Sequence, residues 1–205
     1  MRIGVMALQG GFAEHISILS RCGVTAHPVR LPSHMDGLDG IVIPGGESTA
    51  LKILMRDYGL IGPLRDLITR GLPVLGTCAG MVLLAQDPAD ADTSSLGVMH
   101  VEVERNAFGR QADSFESELS IPVLGDRPFP GVFVRAPLVK ATGDGVEVLC
   151  RLPGGAIVAA RQENRLACSF HPELTDDLRF HKYFLSLNQG DAIAKGSHRR
   201  SRCAA

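Results

Sequence analysis

Cys78 stands between two glycines at the point where a predicted strand turns into a predicted helix. The strand covers residues 73–75, the helix begins near Ala79, and Gly76 and Gly80 flank the cysteine. This strand–turn–helix arrangement is typical of a nucleophile elbow, which presents a reactive side chain at the apex of a sharp turn. The dipole and amide groups at a helix N-terminus favour the thiolate, the nucleophilic form. The alternative is that Cys78 is only a small buried apolar residue.

A cysteine nucleophile needs a base, and His171 is the candidate for that role. It directly follows a predicted strand over residues 166–170 and stands in the sequence His-Pro-Glu. Pro172 stiffens the backbone, and Glu173 can turn back to hold one imidazole tautomer, as a carboxylate does in other triads. The alternative is that this tripeptide only forms a loop.

The other six histidines lack such a setting, and we interpret them as surface or satisfied core residues. They are His15, His27, His34, His100, His181 and His198. Because His15 follows Glu14 on a predicted helix, we interpret these two as a solvent-exposed pair.

Acyl transfer also needs backbone N–H groups that face the developing negative charge. The N–H of Ala79, just after the cysteine, is one candidate. The N–H of Gly46, in the turn over residues 44–47, is the other. The alternative for these glycines is a simple tight turn.

Strands and helices alternate over the first 80 residues. Strands are predicted at residues 3–8, 25–30, 38–43 and 73–75, with helices from Phe12 to about Gly23, after a cap at Ser48 or Thr49, and over 63–70. This rhythm predicts an α/β fold with a mostly parallel central sheet and helices on both faces. Chemistry in such folds lies at the carboxyl ends of the strands, where the loops 9–11, 45–47 and 76–78 fall.

The second half is richer in short strands and glycine- or proline-containing turns, so we predict mixed or antiparallel pairing there. Strands are predicted at residues 98–105, 114–121, 132–134, 146–152, 156–161 and 166–170, and a last helix at 176–187. Residues 1–188 are predicted to form one domain, followed by a disordered polar and basic tail over 189–205.

Composition excludes several classes of function. The chain has 205 residues, 45% of them hydrophobic, and a net charge of −1, which gives no indication of a nucleic-acid or anionic membrane partner. No apolar run has the length of a membrane span, and the N-terminus has no signal-peptide layout. Five scattered cysteines without a CxxC pair argue against a disulfide framework and a zinc site. We therefore predict a cytoplasmic protein with no metal or cofactor.

Several segments together resemble the class I, triad-type glutamine amidotransferases, whose fold is flavodoxin-like. They are residues 8–10, 44–49, 76–81 and 171–174. Residues 105–116 and 133–137 are more specific and resemble the glutaminase subunits of pyridoxal 5′-phosphate synthase. The resemblance runs from about residue 3 to 187, with Ala107 where the family often has serine and Val134 where it often has isoleucine. Residues 87–95 and the tail are the least similar.

The resemblance implies a glutaminase that converts L-glutamine into L-glutamate and ammonia through a thioester on Cys78. It implies His171 as the base oriented by Glu173, and the N–H groups of Gly46 and Ala79 as the oxyanion site. The implied glutamine pocket is formed by Gly46, Glu47, Ser48, Arg105, Val134 and Arg135. An arginine there can pair with the substrate α-carboxylate through two hydrogen bonds, whereas the sequence alone, without the resemblance, would favour surface ion pairs for Arg105 and Arg135.

The resemblance also implies a partner. Ammonia must reach an acceptor before it is protonated, and the family uses a separate (β/α)8-barrel synthase subunit that builds pyridoxal 5′-phosphate. We hypothesise that the glutaminase idles alone with an incomplete oxyanion site. Docking of the partner would then fix the orientation of the Gly45–Gly46 peptide. The nearby loop at Gln9 and Gly10 would transmit the effect of the partner to this peptide.

Two other hypotheses come from different classes of protein. One is another cysteine-elbow hydrolase, such as a peptidase or γ-glutamyl hydrolase, which would not require the segment 105–116. Ammonia release from free glutamine, absent in Cys78→Ala, separates it from a glutaminase. The other is a non-catalytic regulatory binder, which covalent labelling of Cys78 by a glutamine-like electrophile would exclude.

Overall fold

The computed structural model describes residues 1–86, 95–105 and 114–188. The strands are β1 (Arg2–Met6), β2 (Thr25–Val29), β3 (Gly40–Ile43), β4 (Val74–Thr77), β5 (Val101–Glu104), β6 (Ser114–Leu119), β7 (Phe129–Val134), β8 (Leu138–Thr142), β9 (Glu147–Arg151), β10 (Ile157–Gln162) and β11 (Arg165–Cys168). The helices are α1 (Phe12–Arg21), α2 (Ser48–Asp57), α3 (Ile61–Thr69), α4 (Ala79–Leu84) and α5 (Arg179–Ser186).

The main sheet has a parallel half and an antiparallel half. Its order is β2-β1-β3-β4-β11-β10-β8-β5, and β9 pairs with β10. The pairs from β2 to β11 are parallel, and all pairs beyond β11 are antiparallel. β6 and β7 form a separate antiparallel hairpin. The predicted fold class is therefore confirmed.

Helices cover both faces of the sheet, because its parallel strands are apolar on both sides. β3 shows this well: Ile41 and Ile43 belong to a core with Leu51 of α2, whereas Val42 belongs to a second core with Phe180 of α5. α1 lies on the α5 side, and α3 and α4 lie on the α2 side. The helices pack on the faces of the sheet and do not cover the loops that follow β1, β3 and β4 at the carboxyl ends of these strands.

Three local predictions were wrong. β8 was missed because only Val139 is fully buried along it, so it has no clear alternation of apolar and polar residues. The last helix begins at Arg179, not at residue 176. Glu47, rather than Ser48 or Thr49, caps α2, since its carboxylate accepts the N–H groups of the first turn. The tail over 189–205 and residues 106–113 of the most specific segment lie outside the described residues.

Asp177 stabilises the start of α5. Its carboxylate accepts the Arg179 N–H at 3.0 Å and an Arg127 guanidinium N–H at 2.7 Å. The hydrogen bond from the Arg179 side chain is the main reason why its pKa falls from 3.8 to about 2. We therefore infer that the ionised carboxylate stabilises the folded state.

We expect Asp177→Ala to lower the free energy of unfolding by about 1 kcal/mol at neutral pH, the usual net contribution of a hydrogen bond that is lost with its side chain. The folded-state pKa is depressed, so this contribution is present above pH 3.8 and is lost as the pH falls towards about 2. Urea unfolding across this range measures it. Asp176→Ala is the control, because the Asp176 side chain is 98% exposed; an equal loss there would contradict the prediction.

Candidate active site

Cys78 occupies a strained turn between β4 and α4. Its φ is 48° and ψ is −107°, a conformation that costs energy for a residue with a side chain. The turn is so tight that glycine is required at both neighbouring positions, Gly76 and Gly80. A Cβ on Gly80 would collide with the carbonyl oxygen of Ile43, and one on Gly76 would lie 2.7 Å from the carbonyl of Gly80. The local geometry is that of the predicted elbow.

β11 brings His171 to the cysteine. In the parallel β4–β11 pair, Thr77 lies opposite Cys168, and the Cys78 N–H donates to the Cys168 carbonyl at 2.8 Å. The chain then continues to His171, whose N–H donates to the Val132 carbonyl at 2.8 Å. The side chains of Cys78 and His171 are hydrogen-bonded.

Glu173 completes a line of three functional groups. One oxygen, Oε1, lies 2.7 Å from Nδ1 of His171, and the Glu173 side chain is 1% exposed. Burial opposes charge on His171, but hydrogen bonds with Cys78 and Glu173 outweigh it and raise the pKa of His171 to about 10. Burial likewise opposes charge on Glu173, and the neighbouring His15 and His171 outweigh it and lower its pKa. The arrangement favours an imidazolium beside an ionised carboxylate.

The two predicted oxyanion residues lie beside the thiol. Gly46 and Ala79 both line the cavity that contains Cys78. The Gly45 carbonyl accepts the Gly11 N–H at 3.1 Å, and no described peptide bond is cis. Since carbonyl and N–H point in opposite directions in a trans peptide, the Gly46 N–H faces away from Gly11.

The loop that carries Gly46 is held by two side chains. The Gly45 N–H donates to the Thr77 hydroxyl at 3.0 Å, and the Glu47 N–H donates to Oε1 of Gln9 at 2.8 Å. The position of the Gly45–Gly46 peptide therefore depends on the first loop and on the end of β4.

A cavity of about 390 Å³ surrounds the thiol. It is lined by Gln9, Gly46, Glu47, Ser48, Thr49, Cys78, Ala79, Val82, Arg105, Val134, Arg135, Pro137 and His171. All six residues predicted to bind glutamine are in this set, although they come from three separate segments. Gln9, Thr49, Val82 and Pro137 were not predicted to bind substrate.

Two charged residues of the cavity differ in their surroundings. The Arg105 guanidinium lies 3.3 Å from the Ser48 hydroxyl and 3.4 Å from that of Thr49, so it is held over the start of α2. Glu47 accepts the N–H groups of Thr49 and Ala50, and these two bonds lower its pKa. Glu47 is therefore an ionised helix cap at the cavity wall.

The interpretation of His15 as a solvent-exposed residue was wrong. Its ring is fully buried, and Nε2 lies 3.2 Å from Oε2 of Glu173. His181, also fully buried, contacts the other ring nitrogen of His15. The signal was present in the sequence, because His15 lies three residues after Phe12 and four before Leu19, on the apolar side of the helix.

The described residues contain neither a membrane-spanning helix nor a group of metal ligands. No helix there is both long and apolar enough to cross a membrane. Over the same ranges, no three residues among the histidines, cysteines and acids are grouped so that they could hold a metal ion.

The chain is similar to known proteins over most of its length. It is 54% identical to a pyridoxal 5′-phosphate synthase subunit PdxT of Pelotomaculum thermopropionicum over 90% of this chain and 94% of that one. It is 51% identical to the subunit of the same name from Corynebacterium jeikeium, over 91% and 96%. A crystal structure of a glutamine amidotransferase superposes with a TM-score of 0.85 at 48% identity and covers 91% of this chain and 98% of its own.

The family model described as SNO glutamine amidotransferase matches residues 5–189. The match extends from β1 to the last residues described after α5, so it includes every element that contributes to the cavity. The predicted resemblance is thereby confirmed, and the chain belongs to the SNO glutamine amidotransferase family.

Proposed function

We propose that this protein is the glutaminase subunit of a pyridoxal 5′-phosphate synthase and supplies ammonia for vitamin B6 synthesis. The observation that carries the proposal is the contact of Cys78 with His171 at the wall of one cavity, with Glu173 buried behind His171 and bonded to it. The family and the names of the relatives support the substrate, L-glutamine, and the existence of a synthase partner.

The reaction begins when the Cys78 thiolate attacks the side-chain amide carbon of glutamine. The N–H groups of Gly46 and Ala79 stabilise the negative oxygen of the tetrahedral intermediate. The His171 imidazolium donates its proton to the departing nitrogen, the C–N bond breaks, and ammonia leaves a glutamyl thioester. His171 then takes a proton from water, whose oxygen attacks the thioester. Cleavage of the C–S bond releases glutamate and regenerates the thiolate and the imidazolium.

The cavity is large enough for glutamine and has complementary charges. Arg105 and Arg135 are positioned to bind the substrate α-carboxylate, because guanidinium groups form paired hydrogen bonds with carboxylates. Arg135 has a φ of 42°, a strained conformation for a residue with a side chain and a frequent feature of binding sites. Glu47 supplies a negative charge for the α-ammonium group. Gly46, Ser48 and Val134 complete the wall.

We expect Arg105→Ala to raise the KM for glutamine by about 10- to 100-fold, because the loss of a charged hydrogen bond costs about 1.5–3 kcal/mol. Its kcat should change much less, since the α-carboxylate is far from the amide that reacts. Steady-state kinetics at several glutamine concentrations measure both constants. Arg56→Ala is the control, as Arg56 is an exposed arginine of α2 paired with Asp57. A loss in kcat alone would argue against carboxylate binding.

The partner is proposed to be a (β/α)8-barrel subunit that receives ammonia directly, since free ammonia at neutral pH is mostly ammonium. We propose that docking completes the oxyanion site by fixing the Gly45–Gly46 peptide. The contacts of Gln9 and Gly11 with this loop provide a route, because movement of the first loop would displace it. No nucleic acid or membrane enters the proposal. The free thiols of Cys22, Cys78, Cys150 and Cys168 support a cytoplasmic location.

The test is glutamate and ammonia production by this chain with and without its synthase subunit. We expect the mixture to hydrolyse glutamine at least about tenfold faster than the isolated chain. One oxyanion donor typically contributes about 10²- to 10³-fold to kcat, so this expectation is a cautious one. Glutamine labelled with ¹⁵N in the amide should pass its label to pyridoxal 5′-phosphate. Equal rates would contradict activation by docking. No ammonia release from glutamine, with cleavage of γ-glutamyl or peptide substrates instead, would favour the other hydrolases.

A further inference from the structure

We propose that the buried histidine His15 is a positioning residue for the glutaminase reaction, a proposal that rests on the proposed function. It orients the Glu173 carboxylate and, through Thr77, the loop that carries the Gly45–Gly46 peptide. His15 lies on α1, outside every segment that contributes the nucleophile, the base or the cavity wall.

The first contact is with the carboxylate. Nε2 of His15 lies 3.2 Å from Oε2 of Glu173, and His171 occupies the other oxygen, Oε1, at 2.7 Å. The two side chains of the His15–Glu173 pair are 0% and 1% exposed, so water does not compete for the carboxylate. Glu173 thus lies between two imidazole rings: His171 is hydrogen-bonded to Oε1, whereas His15 approaches Oε2 closely without hydrogen-bond geometry, so its effect on the carboxylate is electrostatic.

The second contact is with the oxyanion loop. The same Nε2 of His15 lies 3.2 Å from the Thr77 hydroxyl, which accepts the Gly45 N–H at 3.0 Å. Thr77 is fully buried and directly precedes Cys78. One ring nitrogen therefore contacts both the acid of the triad and the hydroxyl that holds the oxyanion loop.

His181 determines which nitrogen of His15 carries the proton. Its Nε2 lies 3.0 Å from Nδ1 of His15, and its Nδ1 is buried without a hydrogen-bond partner among the described residues. Burial lowers the pKa of both rings, so both are neutral. We assign the His181 proton to Nε2, where it has an acceptor. His15 then accepts at Nδ1 and presents an N–H at Nε2.

A neutral N–H donor suits this position better than a cation. It fixes the carboxylate without neutralising it, so Glu173 keeps its charge for the His171 imidazolium. A mobile carboxylate would let the imidazolium ring turn away from the thiolate, and misplacement by about 1 Å is enough to cost roughly 10²-fold in rate.

The test compares two variants of His15 in the complex with the synthase subunit. His15→Leu has no donor, whereas the amide nitrogen of His15→Gln reaches the place of Nε2. We expect His15→Leu to lower kcat by about 10- to 100-fold with less than threefold change in the KM for glutamine. His15→Gln should recover most of the loss. Equal losses in the two variants, or an unchanged kcat in His15→Leu, would overturn the proposal.

A control separates positioning from stability. Ile18→Val shortens another buried side chain of α1 and should lower the melting temperature without lowering kcat. If kcat falls in this variant as well, the effect of His15 is only structural and the proposal fails. If His15→Leu does not fold, Thr77→Val decides, because it removes the hydroxyl between His15 and the Gly45 N–H. Thr77→Val should lower kcat with little change in the KM for glutamine. A kcat equal to that of the wild type would refute the positioning role.

A second measurement does not depend on glutamine. The rate of alkylation of Cys78 by iodoacetamide, followed by mass spectrometry of its peptide, reports on the thiolate–imidazolium pair alone. We expect His15→Leu to slow it several-fold and His15→Gln to restore it. If the wild-type complex releases no ammonia, the proposed function fails, whereas an alkylation rate that is independent of His15 refutes the positioning role.

Discussion

Glutamine hydrolysis is expected to disappear in Cys78→Ala, with a fall in kcat of about 10⁴-fold or more. The sulfur of Cys78 is the atom that bonds to the substrate. The cavity also contains the hydroxyls of Ser48 and Thr49, but these residues lie at the start of α2 and not in the strained turn, so they cannot replace it. In Cys78→Ala, water would have to attack the amide of glutamine directly, without the thiolate nucleophile and without a thioester intermediate. Ammonia release in the complex measures the loss, with a sensitive coupled assay.

The Cys78→Ala protein should still fold and still bind glutamine. Alanine removes only one atom from a side chain that is 7% exposed, and the turn itself is held by Gly76 and Gly80. Circular dichroism and the melting temperature check the first point, and calorimetric titration with glutamine checks the second. A well-folded variant with more than about a hundredth of the wild-type rate would exclude the thioester route.

A matched cysteine provides the control. Cys22 is partly exposed beside α1 and takes no part in the cavity, so Cys22→Ser should retain its activity. A diazoketone analogue of glutamine should modify the Cys78 peptide of both the wild type and Cys22→Ser. The absence of label on Cys78 in an active enzyme would favour another nucleophile, and the absence of both label and turnover would favour a regulatory binder.

The second large effect is expected for Glu173→Gln, which should lower kcat by about 10³- to 10⁴-fold, as amides do in place of triad carboxylates. The change removes the charge that supports the His171 imidazolium. It also places one amide NH₂ group next to either the His171 Nδ1–H or the ring of His15, so one of the two contacts becomes donor against donor. The imidazole then takes the wrong tautomer.

The pH dependence distinguishes this effect from simple loss of stability. The pKa of His171 is raised to about 10, with Cys78 and Glu173 outweighing the effect of burial. In Glu173→Gln this pKa should fall, so the alkaline limit of glutamine hydrolysis, which needs the His171 imidazolium as proton donor, moves to lower pH. Glu14→Gln is the control, because Glu14 is exposed on α1, near Glu173 but outside the triad. A variant of Glu173 with an unchanged profile would argue against a role for the carboxylate in charging His171.

Local patterns were sufficient to predict the first half of the fold. The apolar strands, the glycines of the elbow and the helix after it are encoded within a few residues, and periodicity or turn chemistry reveals them. The predicted α/β class is confirmed for the same reason. The boundary at residue 188 stays a prediction, because the residues beyond it are not described.

Long-range pairings could not be read from those patterns. β11 pairs with β4 through backbone hydrogen bonds, which leave no mark on residue type. β8 is fully buried only at Val139, and its last three residues, Lys140, Ala141 and Thr142, are exposed. His15 was misassigned for a different reason: the neighbouring Glu14 was weighted above the helical spacing that places His15 towards the core. The predicted roles of the cavity residues stay predictions until the variants are measured.

The pairing of β11 with β4 also has a consequence for synthesis on the ribosome. Arg165 must emerge before it can pair with Val74, so a nascent polypeptide already contains Cys78 long before the His171 imidazole can reach it. Until then the thiol is inert towards glutamine. Translation therefore delivers a latent enzyme, which matures only after β11 and the residues that follow it up to Glu173 have been made.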